Sequence, residues 1–278
     1  MKLGNKPLLS FALFSIVSLH LLLSLNAIAG TEILMDTTGP GQAPGQSKMF
    51  IQNGKLRMDT QETSENGESQ MIYDHGTKTM LMVDVDGRMY TLINEPMLGQ
   101  LKSRMDAMKK QMEAQLANMP PEQREMMKNM MAGKMGMDQK AKNKPPKKVM
   151  KTDKTSSAGG YDCVVYEVKA GTKKVREFCV TEWSKFKNGN EVKTAMKGMN
   201  QFFGDFMESM QGMMPEDEES PFAEIDQLNG FPVIFKEYKN GKVFETATLK
   251  SVSDKSFSDD IFKAPKGFQQ QQMMQGME

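Results

Sequence analysis

Histidine and cysteine, the side chains most often used as neutral-pH base, nucleophile or metal ligand, are scarce in this chain, and methionine is abundant. Histidine occurs only at His20 and His75 and cysteine only at Cys163 and Cys179, against 29 methionines in 278 residues. Catalysis of the Ser-His, Cys-His or zinc-His kinds needs a histidine in the folded protein. His20 falls in an N-terminal leader, and His75 in a His75-Gly76 turn signal, where such polar residues are favoured. No phosphate-cradling glycine loop is present, because Gly159-Gly160 precedes a strand-like run rather than opening a helix. A pair of catalytic carboxylates would need a cleft that nothing in the pattern provides. The expectation is a non-enzymatic protein without a cofactor.

The two cysteines sit eight residues either side of Gly171, in strand-like runs Tyr161 to Val168 and Val175 to Thr181 around an Ala170-Gly171-Thr172 turn. Equal distance from the turn places them opposite each other in an antiparallel pair, and an oxidising compartment lets them join. A redox pair usually has C-x-x-C spacing, and two thiols alone do not make a zinc site. A structural Cys163 to Cys179 disulfide is therefore expected, contributing about 3 kcal/mol in the chain-entropy model.

Methionine is the compositional anomaly. Eleven lie between Met97 and Met137 and ten more from Met150 onward. Thioethers are soft ligands, so Met126, Met127, Met130 and Met131 at helical spacing could hold Cu(I). The alternative is packing, with Met replacing Leu on apolar helix faces where its flexible chain fills irregular gaps. A third possibility is an adaptable surface that repacks around varied partners.

These residues need elements to position them, and the chain divides accordingly. Residues 1–29 read as a cleavable signal peptide: Lys2 and Lys6, an apolar run from Leu8 to Leu25, then Ala27-Ile28-Ala29 before Gly30. Cleavage after Ala29 would leave a 249-residue exported chain with no membrane span. Taking Lys2 and Lys6 from the 36 basic residues leaves 34 against 35 acidic, a balance without the basic footprint of a nucleic-acid binder.

Residues 31 to 93 alternate in short runs separated by turn signals, and six strands are predicted there. The strongest signal is Asn53-Gly54 between Lys48 to Ile51 and Lys55 to Met58, since both turn positions need positive φ. His75-Gly76 and Asp86-Gly87 mark the next two turns, and Asn240-Gly241 joins a last hairpin of Val233 to Tyr238 and Lys242 to Val252.

From 96 to 137 the period becomes helical, with Leu101, Met105, Met108, Met112 and Leu116 on one face. A second helix follows Pro120-Pro121, with Met126, Met127, Met130 and Met131, and ends at Gly133. A lysine-rich stretch over 138–156 reads as a solvated linker. A further helix is predicted over Glu191 to Met214, with Val192, Met196, Met199, Phe203, Phe206 and Met210 on one side, and residues 269–278 as a disordered tail.

Several short patterns occur together. They are Ile72-Tyr73-Asp74, Met80 through Asp84 to Arg88-Met89-Tyr90, Gly160-Tyr161-Asp162-Cys163, and Phe257 to Phe262 followed by Ala264-Pro265-Lys266-Gly267-Phe268. Across 31 to 268 the chain resembles an exported bacterial family known only as a domain of unknown function, itself similar to LolA/LolB-like lipoprotein carriers. That resemblance implies an α+β fold, mainly antiparallel β: a curved half-barrel sheet over residues 30–268, with helices covering its concave side and an apolar cavity between. It also implies a Gram-negative periplasm, and it carries no catalytic motif. The inserted Met-rich helices over 96–137 depart from the minimal carrier pattern.

Together these readings lead to a periplasmic binding protein for an apolar ligand, such as an acyl chain, a lipid or an apolar segment of a lipidated or unfolded protein. Its groove candidates are Leu101, Met105, Met108, Met112, Met127, Met130, Met199, Phe203, Phe206 and Met210. A Cu(I)-handling protein and an envelope assembly or stress interaction module are the alternatives.

Overall fold

The computed structural model describes residues 30–41, 43–61, 67–120, 122–124, 126, 145–209 and 224–272. The leader, most of the second predicted helix and the end of the tail lie outside these residues.

The six predicted N-terminal strands form a meander: β1 (Gly30–Thr38), β2 (Gly45–Gln52), β3 (Lys55–Gln61), β4 (Glu68–Asp74), β5 (Thr79–Asp84) and β6 (Met89–Asn94). Asn53 and Gly54 take φ of 54° and 72°, as a type I′ turn requires. A second meander contains β7 (Lys147–Ala158), β8 (Tyr161–Ala170), β9 (Lys173–Glu182), β10 (Gly230–Lys239) and β11 (Lys242–Lys255). The two join where β1 pairs antiparallel with β11, giving an open, curved sheet of 12 strands in the order β12-β6-β5-β4-β3-β2-β1-β11-β10-β9-β8-β7. Every pairing is antiparallel except that of β12 (Gln269–Gln271) with β6.

Three features differ from the sequence reading. Residues 147–156 of the expected linker belong to β7, an edge strand on which Lys148, Lys151, Lys154 and Ser156 face solvent. Charged residues on an edge strand discourage pairing with other chains, which is why it resembles a linker. Part of the expected tail, Gln269–Gln271, is paired as β12 through its backbone.

The third difference is the placement of the cysteines. The turn centres between Gly171 and Thr172, with Ala170 opposite Lys173, and a bulge between Val168 and Lys169 shifts the register by one residue more, so Cys179 stands opposite Val165 and the two cysteines are diagonal neighbours. The disulfide forms nonetheless, with Cα atoms 5.3 Å apart and S–S 2.09 Å, because diagonal positions remain within side-chain reach.

Two long α-helices are described. Helix α1 (Glu95–Ala117) is capped at its start by the Asn94 side chain, which accepts from the Met97 amide at 2.9 Å. At its end Arg124 donates to the carbonyls of Leu116, Ala117 and Met119. Helix α2 (Gly189–Ser209) has a clear apolar face: Val192, Ala195, Met196, Met199 and Phe202 are buried. That face covers one side of the sheet, here called inner. The main core lies between them and includes Ile33, Ile51, Leu56, Tyr73, Met80, Ile93, Cys163, Cys179, Phe231 and Val233.

Part of the outer side is covered by the segment after β11. Phe257, Ile261, Phe262 and Phe268 pack with Phe50, Ile72, Leu81, Val83 and Tyr90. Gln52 fastens this strap by exchanging two hydrogen bonds with the Phe257 backbone, and Arg57 donates to the Ile261 carbonyl at 3.1 Å. Glu224, almost wholly buried, is held by Arg176 and Lys147 and ties the approach to β10 to strands β9 and β7.

Candidate functional site

The inner face is built in rows, because residues two apart along a strand share a face and cross-strand partners stand side by side. The row beneath α2 is Ile51, Leu56, Tyr73, Met80 and Ile93, each at most 2 % exposed. The next row reads Met49, Met58, Met71 and Met82, four methionines in direct cross-strand register through β2, β3, β4 and β5. Beyond it the row turns polar: Ser47, Thr60, Ser69 and Asp84. The methionines therefore mark the margin where the helix-covered core ends.

Exposure rises along this margin. Met49 is 9 % exposed, Met58 and Met71 are half-buried, and Met82 is 44 % exposed. Met35 on β1 is also half-buried and packs against the main core. From the helix side Phe203 and Phe206 contribute half-buried rings 5.8 Å apart. Apolar side chains from sheet and helix thus remain partly open on one face.

The helix is positioned by contacts at the turn end of the sheet. The Asn53 amide donates to the Glu191 carboxylate at 3.0 Å. Burial nevertheless dominates there and pushes the Glu191 carboxyl up from its ordinary range. Next, Gly198 lies over His75 and the Tyr73 hydroxyl, and the Tyr73 hydroxyl stands 3.3 Å from His75 Nδ1. Burial, followed by the charges of Asp74, Asp205 and Glu95, raises the Tyr73 phenol above its ordinary value. The Phe202 ring follows at 5.7 Å from that of Tyr73. His75 is thus part of the seat of α2.

The residues expected to line a groove are dispersed. Met199 is 1 % exposed and belongs to the core. Leu101 is buried at the start of α1 and lines a separate pocket of about 340 Å³ with Met97, Arg104 and Gln270 to Gln272. Met105 is half-buried, while Met108 is 58 % exposed and faces solvent. Met126 is also exposed. Met127, Met130, Met131, Met210 and the side chain of Met112 lie outside the described residues. Of the described candidates, Phe203 and Phe206 are half-buried and pack against the same core cluster as Met58 and Met71.

The sheet methionines carry a signal of their own, in turn spacing rather than in helical period. Asn53-Gly54 fixes Met49 opposite Met58, and the four-residue connection His75 to Lys78 fixes Met71 opposite Met82. Among the described residues, no group of three or more His, Cys, Asp or Glu side chains could hold a metal ion. No helix among them is long and apolar enough to cross a membrane.

The class this architecture defines is an open, curved antiparallel sheet with a helix on its inner face and an apolar margin beside that helix. No protein-family model and no curated protein matches the chain. Solved structures similar to it include an uncharacterized conserved protein from Thermus thermophilus, at 6 % identity and a TM-score of 0.42, covering 88 % of this chain and 91 % of that one. PNGF-II is similar at 9 % identity and a TM-score of 0.40, over 88 % of this chain and 31 % of that one. A chain of the Pseudomonas aeruginosa MucA/MucB complex is similar at 9 % identity and a TM-score of 0.35, over 87 % and 59 %. The chain thus spans about a third of the PNGF-II chain and under two thirds of the MucA/MucB one.

Proposed function

We propose that this is an exported, periplasmic, non-enzymatic binding protein whose apolar margin takes up an acyl chain or a similarly apolar segment. The observation that carries this reading is that Met58 and Met71 from the sheet and Phe203 and Phe206 from α2 pack half-buried on one core, with the more exposed Met82 in register beside Met71. Each CH₂ withdrawn from water there contributes about 0.8 kcal/mol, so binding strength grows with chain length. Methionine suits such a surface because its unbranched, polarizable chain adapts to varied shapes. Selectivity then follows mainly from the length and shape of the apolar segment.

The test is titration of the purified chain with a fluorescent C16 fatty acid. Saturable uptake that weakens at least tenfold in Met82→Lys or Phe206→Asp supports the reading. Met82 is 44 % exposed and stands outside the main core cluster, so its replacement leaves the core packing in place.

A further inference from the structure

The methionine row offers a chemistry that apolar uptake does not require. β-Branched and aromatic residues fill a pleated, half-buried surface well, and methionine is not among the favoured strand formers. The adjacent covered row uses Ile, Leu and Tyr as well as Met, yet the marginal row has methionine at every one of four successive strands. Packing alone gives no reason for that choice at Met58, Met71 and Met82, where the side chains are only half-buried or exposed.

Register supplies one. Met71 stands directly between Met58 on one side and Met82 on the other. Neighbouring strands run about 4.8 Å apart, with directly opposite Cβ atoms about 4.5–5.5 Å apart. Metal–sulfur bonds of about 2.3 Å, as zinc makes with thiolate, put two sulfurs on opposite sides of one ion at most about 4.6 Å apart. The strand spacing matches that separation. Three rotatable bonds per side chain let the thioethers turn towards a common point.

We propose that Met58, Met71 and Met82 form a thioether site for Cu(I) on the inner face of the sheet. All its donors are neutral and soft, which selects Cu(I) over hard cations and over ions that prefer carboxylate or water. With no thiolate or carboxylate in the set, binding changes the charge of the protein only by that of the ion. The site is distinct from the helical cluster Met126, Met127, Met130 and Met131, and it stands whether or not the same surface takes up an acyl chain.

The experiment is competition for Cu(I) between the purified chain and a chromophoric Cu(I) chelator under anaerobic, reducing conditions. It compares the parent with Met58→Leu/Met71→Leu/Met82→Leu and with Met126→Leu/Met127→Leu/Met130→Leu/Met131→Leu. Leucine conserves volume while removing sulfur. The expected result is an at least tenfold loss of Cu(I) affinity in the sheet variant, with circular dichroism unchanged, and little loss in the helical one. Should the triple variant lose its fold, Met71→Leu alone decides, since it removes the central donor. Retention of the parent's affinity by the sheet variant, including a parent that binds no Cu(I), would overturn the site. The fatty-acid titration uses different substitutions, so failure of one reading leaves the other to be judged separately.

Discussion

Gly198 stands mid-helix in α2, where glycine ordinarily costs about 1 kcal/mol relative to alanine. It is kept because a Cβ there would meet His75 Nδ1 at 2.5 Å and the Tyr73 hydroxyl at 3.2 Å. Gly198→Ala is therefore expected to destabilise the parent by about 1–3 kcal/mol through overpacking. In a His75→Ala background the same change becomes neutral or stabilising. Urea denaturation of the four chains reads this directly, and equal effects in both backgrounds would show that the helix does not rest on His75.

A second residue-scale prediction concerns Glu177, which accepts from Lys174 at 2.7 Å and from Lys236 at 3.0 Å. Burial raises its carboxyl, but these two bonds and charges outweigh it and hold the group below the ordinary 4.5. Lys174 is pushed the other way: burial alone would lower it, yet Glu177 and Tyr238 raise it well above 10.5. A depressed carboxylate stabilises above its unfolded value and loses that contribution as pH falls through the folded one. A raised lysine keeps its contribution below its unfolded value and loses it as pH rises through the folded one. Glu177→Gln should thus be less stable than the parent by about 1–3 kcal/mol at pH 7, the scale of hydrogen bonds to charged groups. The gap should close as pH falls below about 4, where the parent carboxylate protonates as well. Parallel stability curves from pH 7 to 3 would remove Glu177 from the account.

At the scale of elements, the first meander and the last hairpin were legible because their turns are chemically explicit. Asn53-Gly54 and Asn240-Gly241 adopt the left-handed conformations their residue types favour. Two strands were not legible, and both are sheet edges. β7 is part-buried only at Lys147, Val149, Thr152 and Ala158 and is loaded with lysine, while β12 is three glutamines held by backbone pairing. Neither presents the alternation that burial imposes on an interior strand. The cysteines show a subtler limit: their pairing was legible, but the turn centre and the bulge that together make it diagonal were not. Removing the bridge as Cys163→Ala/Cys179→Ala should lower stability by about 3 kcal/mol. Reductant should then shift the urea midpoint of the parent and leave that of the variant in place; an equal response in both would mean that the bridge is not what stabilises the β8–β9 pair.

At the scale of the whole molecule, one sheet is covered on its inner side by α2 and over part of its outer side by the strap from Phe257 to Phe268. The helical face from Val192 to Phe206 was legible through its 3.6-residue period, which placed Phe203 and Phe206 beside the core. The sheet half of the site was less so, because its methionines lie far apart in sequence and come together only through the register of four strands. The exposed Met108 shows the converse: a helical stripe identifies a face without identifying what covers it. The sheet margin and α2 together form the proposed site, while α1 is anchored mainly through its first turns, where Leu98 and Leu101 are buried.

The most direct measurement is the titration with a fluorescent C16 fatty acid, run on the parent, Met82→Lys and Phe206→Asp. The account predicts saturable binding by the parent and at least a tenfold loss of affinity in each folded variant. A parent that shows no saturable binding, or folded variants that bind as tightly as the parent, would contradict it.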